Sequence, residues 1–138
     1  MVRLLLDTNA LLWLSSGSVR LGPQATTAIE AAVSAGEAAF SAISVWETAM
    51  LVRKGRYVLD IPIDCWCADL IAAGLLEAPL DAAAAGQAAE LLNLHDDPAD
   101  RMIAATAMRL GAQLVTSNAR LIEWFAQGGR QLALDARA

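Results

Sequence analysis

The run Val2-Arg3-Leu4-Leu5-Leu6 ends abruptly on a carboxylate, Asp7, which is followed by Thr8 and Asn9. A short apolar run bounded by polar residues fits a strand covered on both faces, as in a parallel sheet. An acid at the carboxyl end of such a strand stands where open α/β sheets place their ligands. Three further segments put an acid or amide at the edge of an element: Ser44-Val45-Trp46-Glu47, Asp96-Asp97-Pro98-Ala99-Asp100-Arg101 and Leu114-Val115-Thr116-Ser117-Asn118. Oxygen ligands drawn from distant parts of a chain are what a hard divalent cation requires.

The rest of the chain alternates the same way. Strands are predicted over Val2–Leu6, Glu37–Ser41, Leu75–Ala78, Gln113–Thr116 and Gln131–Leu134. Helices are predicted over Asn9–Ser15, Pro23–Ala35, Ser44–Lys54, Asp64–Ala73, Asp81–Leu92, Pro98–Leu110 and Asn118–Ala126. Pro23 and Pro98 suit a first helical turn, and Gly36, Gly55, Gly74 and Gly111 fall where C-terminal caps do. Strands alternating with helices indicate βαβ units, hence an α/β fold with a mostly parallel sheet covered by helices. With 138 residues and no linker, the chain is expected to form a single domain over residues 1–138.

Composition narrows the class. The hydrophobic fraction of 57% is high, yet no stretch approaches the roughly 18 uninterrupted apolar residues of a membrane span. Asp7 also cuts the N-terminal run too short for a signal-peptide core, so a cytoplasmic, soluble protein is expected. Cys65 and Cys67, with a single histidine at His95, provide neither a zinc site nor a disulfide framework, and are read as reduced core thiols. A net charge of −5 argues against adhesion to nucleic acid over the whole surface, but leaves room for a local groove. Nine of the ten basic residues are arginine, the side chain best suited to bidentate phosphate contacts. Gly17 and Gly22 have the glycine spacing of a P-loop, but Pro23-Gln24 replaces its Lys and Ser/Thr. Trp13, Trp46, Trp66 and Trp124 are read as core or interface residues.

Each acid also has a structural explanation. Ser44 and Glu47 have the capping-box spacing; Asp97 before Pro98 reads as an N-cap; Asp100 in a first turn gains from the helix dipole. Asn118 could cap the helix after Gln113–Thr116. Asp7 alone is no cap at the expected spacing, and a buried acid needs a partner or a cation to offset desolvation. Jointly, these positions fall on one edge of a parallel sheet. Converging carboxylates repel unless positive charge sits between them, and Mg²⁺ or Mn²⁺ supplies it.

Leu-Leu-Asp7-Thr8-Asn9, Ser44-x-x-Glu47, His95-x-Asp97-Pro98-x-Asp100-Arg101 and Leu114-Val115-Thr116-x-Asn118, in this order, resemble the PIN domain. The nearest subgroup is the VapC-type toxin ribonucleases of bacterial toxin–antitoxin pairs, and the resemblance covers essentially the whole chain. It implies a three-layer α/β/α sandwich and a metal-dependent endoribonuclease acting on RNA. It also implies a homodimer and a cognate antitoxin protein. Asp7, Glu47 and Asp100 match the family's three metal-holding acids; Thr8, Ser44 and Thr116 match positions whose hydroxyls support them. The family commonly has a fourth acid where this chain has Asn118. An amide oxygen can ligate directly or through water, but one charge is lost, implying a weaker or single-ion site.

Arg101, next to Asp100, is the candidate for substrate phosphate; Arg53, Lys54 and Arg56 are either phosphate contacts or a solvated helix end. His95 is read as a structural or substrate-edge residue. The alternative function is a catalytically weak or inactive PIN-like binding module, on the strength of Asn118 and the acidic net charge. A receiver-like signalling domain would need further acids ahead of the first strand and a lysine after the last, and both are missing.

Overall fold

The computed structural model describes every residue except 130 and 132. Five strands, β1 (Leu4–Leu6), β2 (Ala38–Ser41), β3 (Leu76–Ala78), β4 (Gln113–Thr116) and β5 (Leu134–Asp135), form a sheet in the order β3-β2-β1-β4-β5. Every pairing is parallel, with Leu5 opposite Ala39 on one side and Leu114 on the other. Among the described residues seven helices accompany them: α1 (Thr8–Ser16), α2 (Pro23–Ser34), α3 (Ala42–Arg53), α4 (Ile63–Ala72), α5 (Ala82–Glu90), α6 (Pro98–Leu110) and α7 (Ala119–Gln127).

Alternation along the strands sorts the core into two halves. Leu4 and Leu6 of β1, with Phe40 and Val115, pack against Leu11, Ile29, Trp66 and Leu70 of α1, α2 and α4. Leu5, Ala39 and Leu114 face the other way, onto Ile103, Ala104 and Ala107 of α6 and Leu121, Trp124 and Phe125 of α7. Successive strand residues point to opposite faces, so a strand without polar alternation must be covered on both sides. The result is the expected three-layer sandwich, its sheet wholly parallel among the described residues.

Most boundaries fall within a residue or two of expectation. The last strand does not: Leu134–Asp135 replaces Gln131–Leu134, and part of the expected range lies outside the described residues. The α3 cap also moves. Ser41, the last residue of β2, caps the helix by accepting from Ile43 N, so Ser44 lies inside the first turn and the expected Ser44–Glu47 capping box is not formed. The strand and helix join without a loop, and the chain reaches helical geometry two residues earlier than expected. Cys65 is exposed and Cys67 half-buried, which corrects their reading as core thiols: they flank Trp66, whose ring occupies the inward face of α4. Among the described residues no helix is long and apolar enough to cross a membrane.

Candidate active site

Because β1 and β4 are parallel neighbours, both deliver their C-terminal residues to the same sheet edge. Asp7 leaves β1 with an extended backbone and caps α1, its Oδ1 accepting from Ala10 N at 2.8 Å. This corrects the expectation that Asp7 is no cap. Its Oδ2 accepts a hydrogen bond from Thr116 Oγ1 at the end of β4. Thr116 Oγ1 in turn accepts from Asn118 N at 3.0 Å. Thr8 Oγ1 shares a hydrogen bond of 2.9 Å with Ser44 Oγ and donates to Glu47 Oε1, joining the start of α1 to the middle of α3. The three hydroxyls therefore hold, or stand beside, the acids of the cluster.

Asp100, on the first turn of α6, completes it. Its Oδ2 lies 2.7 Å from His95 Nε2 and accepts from Asn118 Nδ2 at 2.9 Å. Asp97 caps α6 through Ala99 N and Asp100 N. Asp7, Glu47, Asp97, Asp100 and Asn118 line one pocket of about 280 Å³. Glu47 Oε2 and Asp100 Oδ1 engage no hydrogen bond among the described residues.

The electrostatics follow from this crowding. Burial pushes the Asp7 carboxyl up to about 6, against the opposing hydrogen bonds of Thr116 and Ala10, with the Asp100 charge adding to the rise. Burial likewise raises Glu47, despite the Thr8 hydroxyl, and raises Asp100, despite its contact with His95. Acids lifted this way favour a proton or a cation between them. The donors are hard oxygens, the chemistry of a Mg²⁺ or Mn²⁺ site. Among the described residues, however, no three Asp, Glu, His or Cys side chains already stand in position to share an ion.

Asn118 takes up its capping reading, and the assignment of Arg101 changes. Asn118 caps α7, its Oδ1 accepting from Arg120 N at 2.9 Å, while its Nδ2 faces Asp100. Both contacts fix the amide orientation, because a backbone N–H needs an acceptor and a carboxylate needs a donor. Asn118 therefore presents a donor to the cluster where an oxygen ligand was expected. Arg101 does not offer its guanidinium to a phosphate. It donates to the carbonyls of Ala88, Ala89, Leu91, Leu94 and His95, capping the end of α5 and closing the loop that carries His95. Adjacency in sequence to Asp100 said nothing about direction, and successive helical residues do not share a face.

Two residues stand closer to the site than expected, His95 having been read as a structural or substrate-edge residue and Arg120 not having been singled out. His95 contacts Asp100 directly, and its Nδ1 is buried with no partner among the described residues. Its spacing of five residues from Asp100, across a helix start, was the available signal. Arg120 lines a second hollow of about 620 Å³ with His95, Asp96, Asp97, Asp100 and Asn118, and no motif pointed to it.

A family model, the PIN domain, matches residues 4–124. The chain belongs to the PIN domain family. Among its PIN relatives is Ribonuclease VapC22 of Mycobacterium tuberculosis (strain ATCC 25618 / H37Rv), 37% identical over 121 residues, covering 88% of this chain and 91% of the relative. Solved structures share the fold. A chain of VapBC2 from Rickettsia felis, bound to a DNA fragment from its promoter, superposes with a TM-score of 0.67 at 21% identity, over 98% of each chain. A chain of FitAcB from Neisseria gonorrhoeae does so with a TM-score of 0.52 at 22% identity, over 96% of this chain and 97% of that one.

Proposed function

We propose that residues 1–138 act as a single PIN-domain endoribonuclease, the toxin of a toxin–antitoxin pair, hydrolysing RNA phosphodiester bonds with Mg²⁺ or Mn²⁺. The observation that carries this reading is the convergence of Asp7, Glu47 and Asp100, from three separate elements, on one acid-crowded pocket. The 37% identity to a ribonuclease supports the reaction class. Asp7, Glu47 and Asp100 are the residues to hold the ion, Glu47 and Asp100 each having a carboxylate oxygen with no hydrogen bond among the described residues. When bound, the ion would supply Lewis-acid polarisation and offset negative charge on the phosphate and leaving oxygens.

The chain's own residues do the positioning. Thr116 and Thr8 orient Asp7 and Glu47; His95 and Asn118 hold one oxygen of Asp100, and the other makes no hydrogen bond among the described residues. The acids also exclude nonspecific anions from the site until a cation is present, which couples substrate entry to metal binding. A cognate antitoxin is the expected partner, in keeping with the resemblance to chains of VapBC2 and FitAcB. A homodimer is expected too, in keeping with Trp46, which is 57% exposed beside Glu47.

Purified protein incubated with structured RNA should cleave it in the presence of Mg²⁺ or Mn²⁺ and stop on addition of EDTA. No cleavage with either ion, by protein shown to be folded, would favour the weak or inactive binding module. Asn118, an amide in place of an acid, is the observation behind that second reading. Light scattering at micromolar concentration tests the dimer.

A further inference from the structure

Three arginines stand at or near the sheet edge that carries the acids, and their contacts differ. Arg101 is fully engaged with five backbone carbonyls. Arg137 is partly engaged: it donates to Ser117 O at 2.8 Å, and its guanidinium lies 5.4 Å from the Trp13 ring centroid. Arg120 is exposed, like Arg137, but differs in its contacts. Its backbone N–H closes the α7 cap, while its guanidinium makes no ion pair or hydrogen bond among the described residues. Yet it lines the same hollow as Asp100, Asn118 and His95.

A free cation beside four carboxylate-bearing or imidazole side chains, in a chain of net charge −5, is poorly explained as surface solvation. It pairs with none of the three acids in its own hollow. Arginine presents a rigid fork of donors suited to two phosphate oxygens at once. We propose that Arg120 is the substrate-positioning residue of this site, binding a backbone phosphate of the RNA in the hollow next to Asp100. The inference rests on the ribonuclease reading and passes to Arg120 the role that sequence adjacency had suggested for Arg101. Arg120 touches substrate without taking part in proton or metal chemistry, so its removal weakens binding and leaves turnover intact.

The test measures both quantities. In an Asp7→Asn background that cannot consume the probe, a fluorescein-labelled single-stranded RNA of random sequence is titrated by anisotropy at several salt concentrations. Arg120→Ala should weaken binding about tenfold and flatten the salt dependence by about one phosphate contact. Arg120→Lys, which keeps the charge and loses the fork, should recover part of the affinity. Arg109→Ala, which removes the same charge from the far end of α6, should leave binding unchanged. In the otherwise wild-type enzyme, Arg120→Ala should raise KM by a similar factor with kcat within about twofold. Equal affinity and salt slope in Arg120→Ala and its parent overturn this assignment alone. Absence of any RNA binding or cleavage by the folded parent overturns the ribonuclease reading, and this one with it.

Discussion

Two of the molecule's hollows are built on opposite principles. The acid pocket, about 280 Å³, is lined by carboxylates and an amide held by hydrogen bonds from Thr8, Thr116 and His95. The second, about 910 Å³, is a groove between α1, α2 and α4, lined by Leu14, Ile29, Val33, Leu59, Trp66 and Leu70 among others. The groove is far larger and more apolar. Three carboxylates lifted by burial lie in the small pocket. Size marks where the chain failed to fill space; raised acids mark where it accepted an electrostatic cost. The second is the better guide to chemistry.

The sharpest way to break this contrast is to alter one residue in each hollow. Asp7→Asn should abolish cleavage, by about a thousandfold or more, while the metal-free fold is retained or strengthened, since neutralising a buried acid relieves desolvation. Trp66→Ala should do the reverse. Its ring is 5% exposed, so truncation should cost about 3–5 kcal/mol in chemical denaturation, while activity per folded molecule persists. A denatured Asp7→Asn variant, or an inactive but stable Trp66→Ala variant, would exchange the roles of the two regions.

Arg101 offers the next largest effect. Because it caps α5 and closes the His95 loop, Arg101→Ala should lower stability by about 2–4 kcal/mol, several carbonyls losing a charged donor. Arg120→Ala should be nearly neutral in the same melt. Comparable melting of the two variants would erase the distinction between structural and substrate-facing arginines.

The acid pocket also sets a pH signature. The Asp7 carboxyl sits at about 6 in the folded chain against an ordinary value of 3.8, so the folded state binds a proton more tightly than the unfolded one. Its contribution is therefore unfavourable above about 6 and is relieved as pH falls toward 4. Glu47 and Asp100, raised in the same direction, add to it. Metal-free protein should gain stability as pH falls from 7 to 5, by about 1 kcal/mol from Asp7 at 1.36 kcal/mol per pKa unit, the full gain of about 3 kcal/mol being reached only below about pH 4. Saturating Mg²⁺ should flatten the trend, because the ion favours the ionised carboxylates. Urea melts across this range, with and without metal, measure both.

The smallest predicted effect concerns Asn118. Asn118→Asp keeps the α7 cap but replaces the donor facing Asp100 Oδ2 with a second carboxylate. The metal-free protein should lose about 1–2 kcal/mol, while the added charge tightens Mn²⁺ binding several-fold in isothermal titration. Unchanged stability and affinity would reduce Asn118 to a helix cap.

Much of this molecule was legible in its sequence. Uniformly apolar strands that end on Asp7 or run into Thr116 can only be buried on both faces, and the helical stretches between them supply the cover. Local periodicity therefore sufficed for the α/β sandwich, and the order of the acids sufficed to name Asp7, Glu47 and Asp100 as companions. What one-dimensional pattern could not resolve was direction. That Ser41 caps α3 in place of Ser44, that Asp7 caps α1, and that Arg101 turns to the end of α5 all depend on which backbone groups are left unpaired once the elements pack. The same holds for Asn118 and Arg120, neighbours at the start of α7. The amide is oriented by Asp100 across the sheet edge, and the guanidinium has no hydrogen bond or ion pair among the described residues. Sequence determines which groups are available; only the tertiary structure, by satisfying some of them first, decides which remain for a ligand.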